Sequence, residues 1–356
     1  MFRRLCGGRQ TEVVRFYLYM ERQISDRPII GITMGDAAGI GPEIVLKALS
    51  DIDLQAAYRC VMIGDAAFLR RSAASLGLDV RIIEFSTAPL TQPTDVEVFN
   101  LNNLPPSFDI GIDAAITGKA SAECVEAAVR LWQEGKIDGV CTAPISKKAI
   151  AMGGYDFPGH TEFLAHLTGT KDFAMSFFAE KLRVVLLSTH LPLRNAIDLI
   201  KKDALISLIE FTHNEMSKLL GKKIRIAVAG LNPHASEGGL FGTEEKLEIG
   251  PAVDHCRTEL GIDVTGPYPP DTVFLRCSQG EFDACVALYH DQATIPVKML
   301  SFGSGVNVTL GLPLIRTSVD HGTAFDIAGK GVADAGSLVS AIRLASQLVN
   351  ARERRM

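Results

Sequence analysis

V-A-L-Y-H-D-Q-A-T-I-P-V-K, residues 286–298, belongs to an apolar run that spans Ala284 to Tyr289 and ends in reactive side chains. Such a run reads as a buried strand. His290 and Asp291 stand at its C-terminal end, where open α/β sheets place their ligands. Lys298, Asn307 and Arg316 follow at nine-residue intervals. One segment therefore supplies a candidate metal ligand, an amide and two cations, a set suited to an anionic substrate.

Working outward, the same grammar of strand, polar turn and helix recurs. Residues 28–34, P-I-I-G-I-T-M, read as a strand, and G-D-A-A-G-I-G-P-E-I (35–44) as a glycine-rich turn into a helix with Pro42 in its first turn. A turn of this kind can hold a phosphate on free backbone N–H groups. The spacing is not G-x-G-x-x-G, however, and no acid stands at the distance a dinucleotide fingerprint requires. A ligand role and a merely tight turn are equal readings here. Strands are expected over 58–64, 80–85, 139–142, 182–190 and 225–231, with 91–108 irregular and a helix from Ser121 to Glu134. Thr117-Gly118-Lys119 lacks the earlier glycine of a phosphate loop and reads as a helix start. Lys147 and Lys148 stand near a helix start, where cations oppose the dipole, so either an anion lies nearby or the pair is simply solvated. Strands alternating with helices over about 300 residues define a mostly parallel α/β sheet system.

His160 precedes a helix, while His190 and His290 each end a buried strand. Neutral imidazoles are common ligands of transition metals, and three of them leave places open for substrate oxygens. No short spacing such as H-x-x-x-H supports the set, so proximity has to come from the fold. His234, in N-P-H-A-S-E-G-G (232–239), is either a fourth ligand or, as preferred here, the donor of a hydrogen bond inside its loop. Asp271 in G-P-Y-P-P-D (266–271) is presented by a rigid turn.

The totals narrow the class. At 356 residues the chain is long enough for two lobes around a cleft. The hydrophobic share is 47% and the charged share 22%, which is globular composition. A net charge of −5 gives no reason to expect nucleic-acid binding. No apolar run is long enough to cross a bilayer, and the first residues lack a signal-peptide core. Seven scattered cysteines without a C-x-x-C pair favour a reducing, cytoplasmic setting. Residues 1–27 read as an extension without a clear strand pattern, with Met20 a plausible start.

Taken together, G-I-T-M-G-D-A-A-G-I-G-P-E-I, P-G-H-T-E, S-T-H-L-P-L, N-P-H-A-S-E-G-G-L-F-G-T-E-E, Y-H-D-Q and L-G-L-P-L-I-R-T-S-V-D-H-G-T-A resemble, in order, the 4-hydroxythreonine-4-phosphate dehydrogenase (PdxA) family. The resemblance covers Pro28 to the C-terminus. It implies two α/β/α domains around a cleft, like those of isocitrate and isopropylmalate dehydrogenases. The first would comprise residues 28–135 with about 310–356, and the second about 136–309. It further implies NAD bound without a Rossmann fingerprint, and a homodimer that completes each site across its interface, His290 meeting the other histidines from the second subunit. By motif it implies a divalent metal (Zn, Mg, Mn or Co) on His160, His190 and His290, with Lys298, Asn307 and Arg316 on the phosphorylated substrate. Asp291 is either a partner standing behind a ligating histidine or a plain surface acid.

Ala37 and Ala293 depart conservatively from the family pattern. Two departures carry more: the vitamin B6 enzymes have histidines where this chain reads Ser121-Ala122-Glu123 and Ala143-Pro144-Ile145-Ser146-Lys147. Ser121 and Ser146 thus become candidate substrate-selecting residues, and the chain looks closer to the branch acting on 4-phospho-D-threonate or 4-phospho-D-erythronate. The expected reaction is oxidation of the 3-hydroxyl of a 4-phosphorylated hydroxy acid, followed by decarboxylation of the β-keto acid. A non-redox metal-dependent lyase or hydrolase is the competing class, and a metabolite-binding protein a more distant one.

Overall fold

The computed structural model describes residues 27–86, 95–301 and 303–353. The extension expected over residues 1–27 lies, except for Arg27, outside the described residues. Twelve strands form one continuous sheet: β1 (Ile29–Thr33), β2 (Arg59–Gly64), β3 (Arg81–Glu84), β4 (Asp95–Asn100), β5 (Gly139–Thr142), β6 (Ala174–Ala179), β7 (Leu182–Leu186), β8 (Ile226–Ala229), β9 (Val264–Tyr268), β10 (Ala284–Ala287), β11 (Val306–Leu310) and β12 (Ile315–Ser318). Their order is β3-β4-β2-β1-β5-β12-β11-β6-β7-β10-β8-β9. Pairings are parallel except β6 with β7 and β11 with each of its neighbours. The central strands are buried on both faces, as Ile30 and Ile32 of β1 and Met62 and Ile63 of β2 show. This is why they read as unbroken apolar runs rather than alternating ones.

β12 is the join of the sheet. It lies parallel to β5 on one side, with Arg316 opposite Val140, and antiparallel to β11 on the other, with Thr317 opposite Val308. β5, which the sequence reading grouped with the second unit, hydrogen-bonds between β1 and β12.

Five strands, β4, β6, β9, β11 and β12, fall where the sequence reading placed none. Residues 95–100, D-V-E-V-F-N, were expected to be irregular, yet they form β4 with Asp95 and Glu97 almost wholly buried. Arg81 Nε pairs with Asp95 at 2.7 Å, and Arg59 Nε reaches Glu97 at 3.4 Å from the neighbouring strands. Compensated in this way, acids can occupy buried strand positions. The turn expected over 266–271 instead carries the end of β9 and the start of the helix Pro270–Ser278.

The helix expected from Ser121 begins earlier, at Ala115, and runs to Gln133. Gly118 lies inside it because the short helix Lys147–Met152 crosses there: a Cβ on Gly118 would stand 1.9 Å from the carbonyl oxygen of Ala149. Both partners are backbone, so no side chain can give way. Gly118→Ala is expected to destabilise the protein by roughly 1–3 kcal/mol or more through overpacking. The effect would appear as a lower urea midpoint with an unchanged slope, and an unchanged midpoint would refute the tight crossing.

Candidate active site

The turn after β1 is buried throughout, since residues 31–46 are all inaccessible. Its amides are spent on protein: Asp36 N–H donates to the Pro144 carbonyl at 2.9 Å and Ile40 N–H to that of Thr323 at 2.9 Å. A Cβ on Gly39 would meet Thr323, and one on Gly35, whose φ is +74°, would meet Pro144. The glycines serve close backbone packing. This turn is no phosphate cradle and does not fit NAD.

Arg316 lies at the sheet join and is 3% exposed. Its Nη1 donates to Asn307 Oδ1 at 3.1 Å and Thr309 Oγ1 at 3.0 Å, and its Nη2 to Thr142 Oγ1 at 2.8 Å. Strands β5, β11 and β12 thus each contribute to one guanidinium. Every one of these partners is neutral, and Nε is buried without any partner. Burial pulls the Arg316 pKa down to about 10, against the opposing influence of Cys141 and Glu162, so the group remains charged at neutral pH.

His160 opens the helix His160–Thr168. Thr161 ties this helix to β11 through a 3.3 Å contact with Thr309 Oγ1. The Nε2 of His160 is buried with no partner. Burial, then the charge of Arg316, holds its ring neutral and well below the ordinary histidine range. A buried neutral imidazole beside a buried guanidinium can present an N–H to an oxyanion; a cation placed between them would meet the repulsion of Arg316.

His190 and His290 are neighbours within one chain, their ring centroids 5.8 Å apart. Both follow parallel strands that pair with each other: His190 stands four residues beyond β7 and His290 three beyond β10. Two imidazoles on a tetrahedral ion hold their nitrogens about 2 Å from it, which this separation allows. His290 Nδ1 meets Asp291 Oδ1 at 2.7 Å, leaving Nε2 free. Burial, then Lys147 and His290, lowers the pKa of His190 despite the pull of Glu162, and so favours the ligating, neutral ring. The donor set fits a divalent cation. The pair lines a hollow of about 210 Å³ with Thr189, Leu191 and Tyr289.

Within one chain the structure brings two of the three histidines together, His190 and His290. Among the described residues no three His, Cys, Asp or Glu side chains gather around one point. His190 pairs with His290, while His160 belongs with Arg316. The sequence reading left His234 as a loop hydrogen-bond donor, yet its ring is exposed and makes no hydrogen bond among the described residues. It follows β8, which pairs with β10, so three adjacent parallel strands each end in a histidine. Residues 234–237 all have positive φ, between 43° and 70°. Backbone strain of that kind clusters at functional sites. The signal was present in the sequence as a third repeat of apolar strand followed by histidine.

Of the other candidates, Asn307 is brought onto Arg316. Lys298 is exposed on the helix His290–Leu300 and has no hydrogen bond or ion pair among the described residues. Ser121 is wholly buried in mid-helix, its hydroxyl donating to the Gly118 carbonyl at 2.7 Å, which closes it to a ligand. Ser146 caps the helix Lys147–Met152, accepting from Ala149 N–H at 3.1 Å, and is hydrogen-bonded to Asp113. Both serines are spent on local structure.

Comparison with known proteins gives the family. Residues 56–345 match the family described as pyridoxal phosphate biosynthetic protein PdxA. The D-threonate 4-phosphate dehydrogenase of Cupriavidus necator is 46% identical over 91% of this chain and 98% of its own length. The 4-hydroxythreonine-4-phosphate dehydrogenase of Desulfosudis oleivorans is 45% identical over 90% of this chain and 96% of its own. A crystal structure of the 4-hydroxythreonine-4-phosphate dehydrogenase of Klebsiella pneumoniae superposes with a TM-score of 0.84 at 41% identity, covering 90% of this chain and 99% of that one. The chain belongs to the PdxA family. It is an oxidoreductase, a dehydrogenase of the 4-hydroxythreonine-4-phosphate dehydrogenase type. No described helix is long and apolar enough to cross a membrane.

Proposed function

We propose that the chain is an NAD- and divalent-metal-dependent dehydrogenase that oxidises the 3-hydroxyl of a 4-phosphorylated hydroxy acid, with loss of its carboxylate as carbon dioxide. The observation that carries this reading is the buried Arg316, whose hydrogen-bond partners are all neutral. A buried charge is costly unless paired, and the pairing is reserved for the substrate oxyanion. Arg316 grips it in forked geometry, held in plane by Thr142, Thr309 and Asn307. His160 adds an N–H from the helix end beside it. His190 and His290 hold the metal, with Asp291 orienting the ring of His290; His234, at the end of the next parallel strand, is the third ligand. When bound, the cation lowers the pKa of a substrate hydroxyl and stabilises the developing negative charge.

Within the family, 4-phospho-D-threonate or 4-phospho-D-erythronate is favoured over 4-phosphohydroxy-L-threonine. The relatives from Cupriavidus necator and Salmonella typhimurium are named for the former. The site carries two fixed cations, Arg316 and Lys147, with Glu162 as the carboxylate that acts on both His190 and Arg316. An acid without a 2-ammonium suits that field better. The strands β1 to β5 with β12, and the strands β6 to β11, belong to the two lobes, and a second copy of the chain covers the apolar face beside His290. That face exposes Leu275, Ile295 and Met299, the last at 80%.

The test is to incubate the protein with NAD, a divalent cation and each phospho-acid while following NADH absorbance and the mass in solution. A dimer that reduces NAD faster with 4-phospho-D-threonate is expected. Product without NADH would establish the competing lyase, and no product from any phospho-acid would overturn the reading.

A further inference from the structure

We propose that Lys147 is a substrate-binding residue whose ammonium takes an oxyanion of the substrate in the gap it shares with Glu162 and His190. The inference deepens the proposed function, since that reading identifies the owner of the oxyanion as a phosphorylated acid.

Lys147 is placed by the strand that also serves Arg316. Thr142, the last residue of β5, holds Arg316 Nη2, and Lys147 opens the helix five residues later. The start of that helix is fixed by the Ser146 cap and its bond to Asp113. The two adjacent lysines then part company. Lys148 pairs with Asp113 at 3.3 Å, as a structural surface lysine would. Lys147 has no hydrogen bond or ion pair among the described residues, although a carboxylate stands close by. At Gly159 a projected Cβ would lie 3.4 Å from Glu162 Oε2 and 3.8 Å from Lys147 Cε, so the two side chains converge on one glycine without closing a salt bridge.

Gly159 directly precedes His160, whose Nε2 is buried without a partner, so the gap between Lys147 and Glu162 lies beside that ring. Glu162 also acts on Arg316, so one carboxylate stands with two fixed cations. That surplus of positive charge is balanced when an anion enters between Lys147 and the histidines. A compact ammonium on a flexible stem suits a carboxylate or phosphate oxygen.

Inorganic phosphate is the binding probe, titrated calorimetrically against wild type, Lys147→Met, Lys147→Gln, Lys147→Arg and Lys148→Met. Loss of a charge-assisted contact is expected to weaken phosphate binding and raise KM at least about tenfold in Lys147→Met and Lys147→Gln, with a smaller effect on kcat. Lys147→Arg recovers part of the loss, and Lys148→Met changes neither quantity. Phosphate affinity and KM unchanged in correctly folded Lys147→Met would overturn the proposal, as would wild type that binds no phosphate. If no phospho-acid is oxidised and phosphate binding still falls in the Lys147 variants, the reaction reading fails while the assignment of Lys147 stands.

Discussion

Arg316→Met is expected to lower kcat/KM by roughly thirty- to several-thousand-fold while leaving the folded protein at least as stable as wild type. Removing one partner of a buried, hydrogen-bonded charge pair costs about 2–5 kcal/mol, and every 1.4 kcal/mol is tenfold. The loss falls on the bound complex, because without substrate the guanidinium has no anion to lose. Its partners in the free protein are two threonine hydroxyls and the Asn307 amide. In the free protein an apolar chain of similar length removes a desolvated charge, which is neutral or favourable. Steady-state kinetics and a thermal melt together check the claim. A variant that keeps near-wild-type kcat/KM, or one that unfolds, would show that Arg316 is structural. Arg316→Lys is expected to rescue little, since one ammonium cannot span three acceptors on the two strands that flank β12.

His190→Ala and His290→Ala are each expected to abolish bound metal and turnover, whereas His160→Ala keeps its metal and loses activity through weaker substrate binding. The distinction rests on placement. The rings of His190 and His290 lie 5.8 Å apart, while the half-buried His160, with its Nε2 buried, feels the charge of Arg316. Even partners that merely orient a ligand contribute 10- to 100-fold to metal affinity, so loss of a ligand costs about that or more. His234→Ala should behave like His190→Ala. Elemental analysis of the purified variants decides the matter: full metal in His190→Ala, or metal lost only in His160→Ala, would restore the grouping of His160 with the other two.

The sequence carried much of this site. Apolar runs ending in histidine marked β7 and β10 and the groups they deliver, because a parallel strand buried on both faces needs unbroken hydrophobicity and then a polar exit. Arg316 and Asn307 were also singled out in the sequence, and the fold brings them into contact. The local bonds of Ser121 and Ser146 were not legible, since composition near a glycine-lysine pair does not reveal that a helix begins at Ala115 or that a serine hydroxyl caps a helix. β4 was missed because Asp95 and Glu97 look like solvent-facing residues until Arg81 and Arg59 arrive from neighbouring strands. The glycine turn at 35–42 was undecided for a related reason: whether free amides point at a ligand or at Pro144 and Thr323 depends on segments more than a hundred residues away.

By itself, then, the sequence determined the class of fold, the family and the residue types of the site, because hydrophobic period and motif order are local properties of the chain. Only the tertiary structure decided which histidines stand together, setting the rings of His190 and His290 5.8 Å apart. That choice rests on strand order, which sets β7 beside β10 and β5 beside β12 through hydrogen bonds between distant segments. Spacing along the chain cannot encode it.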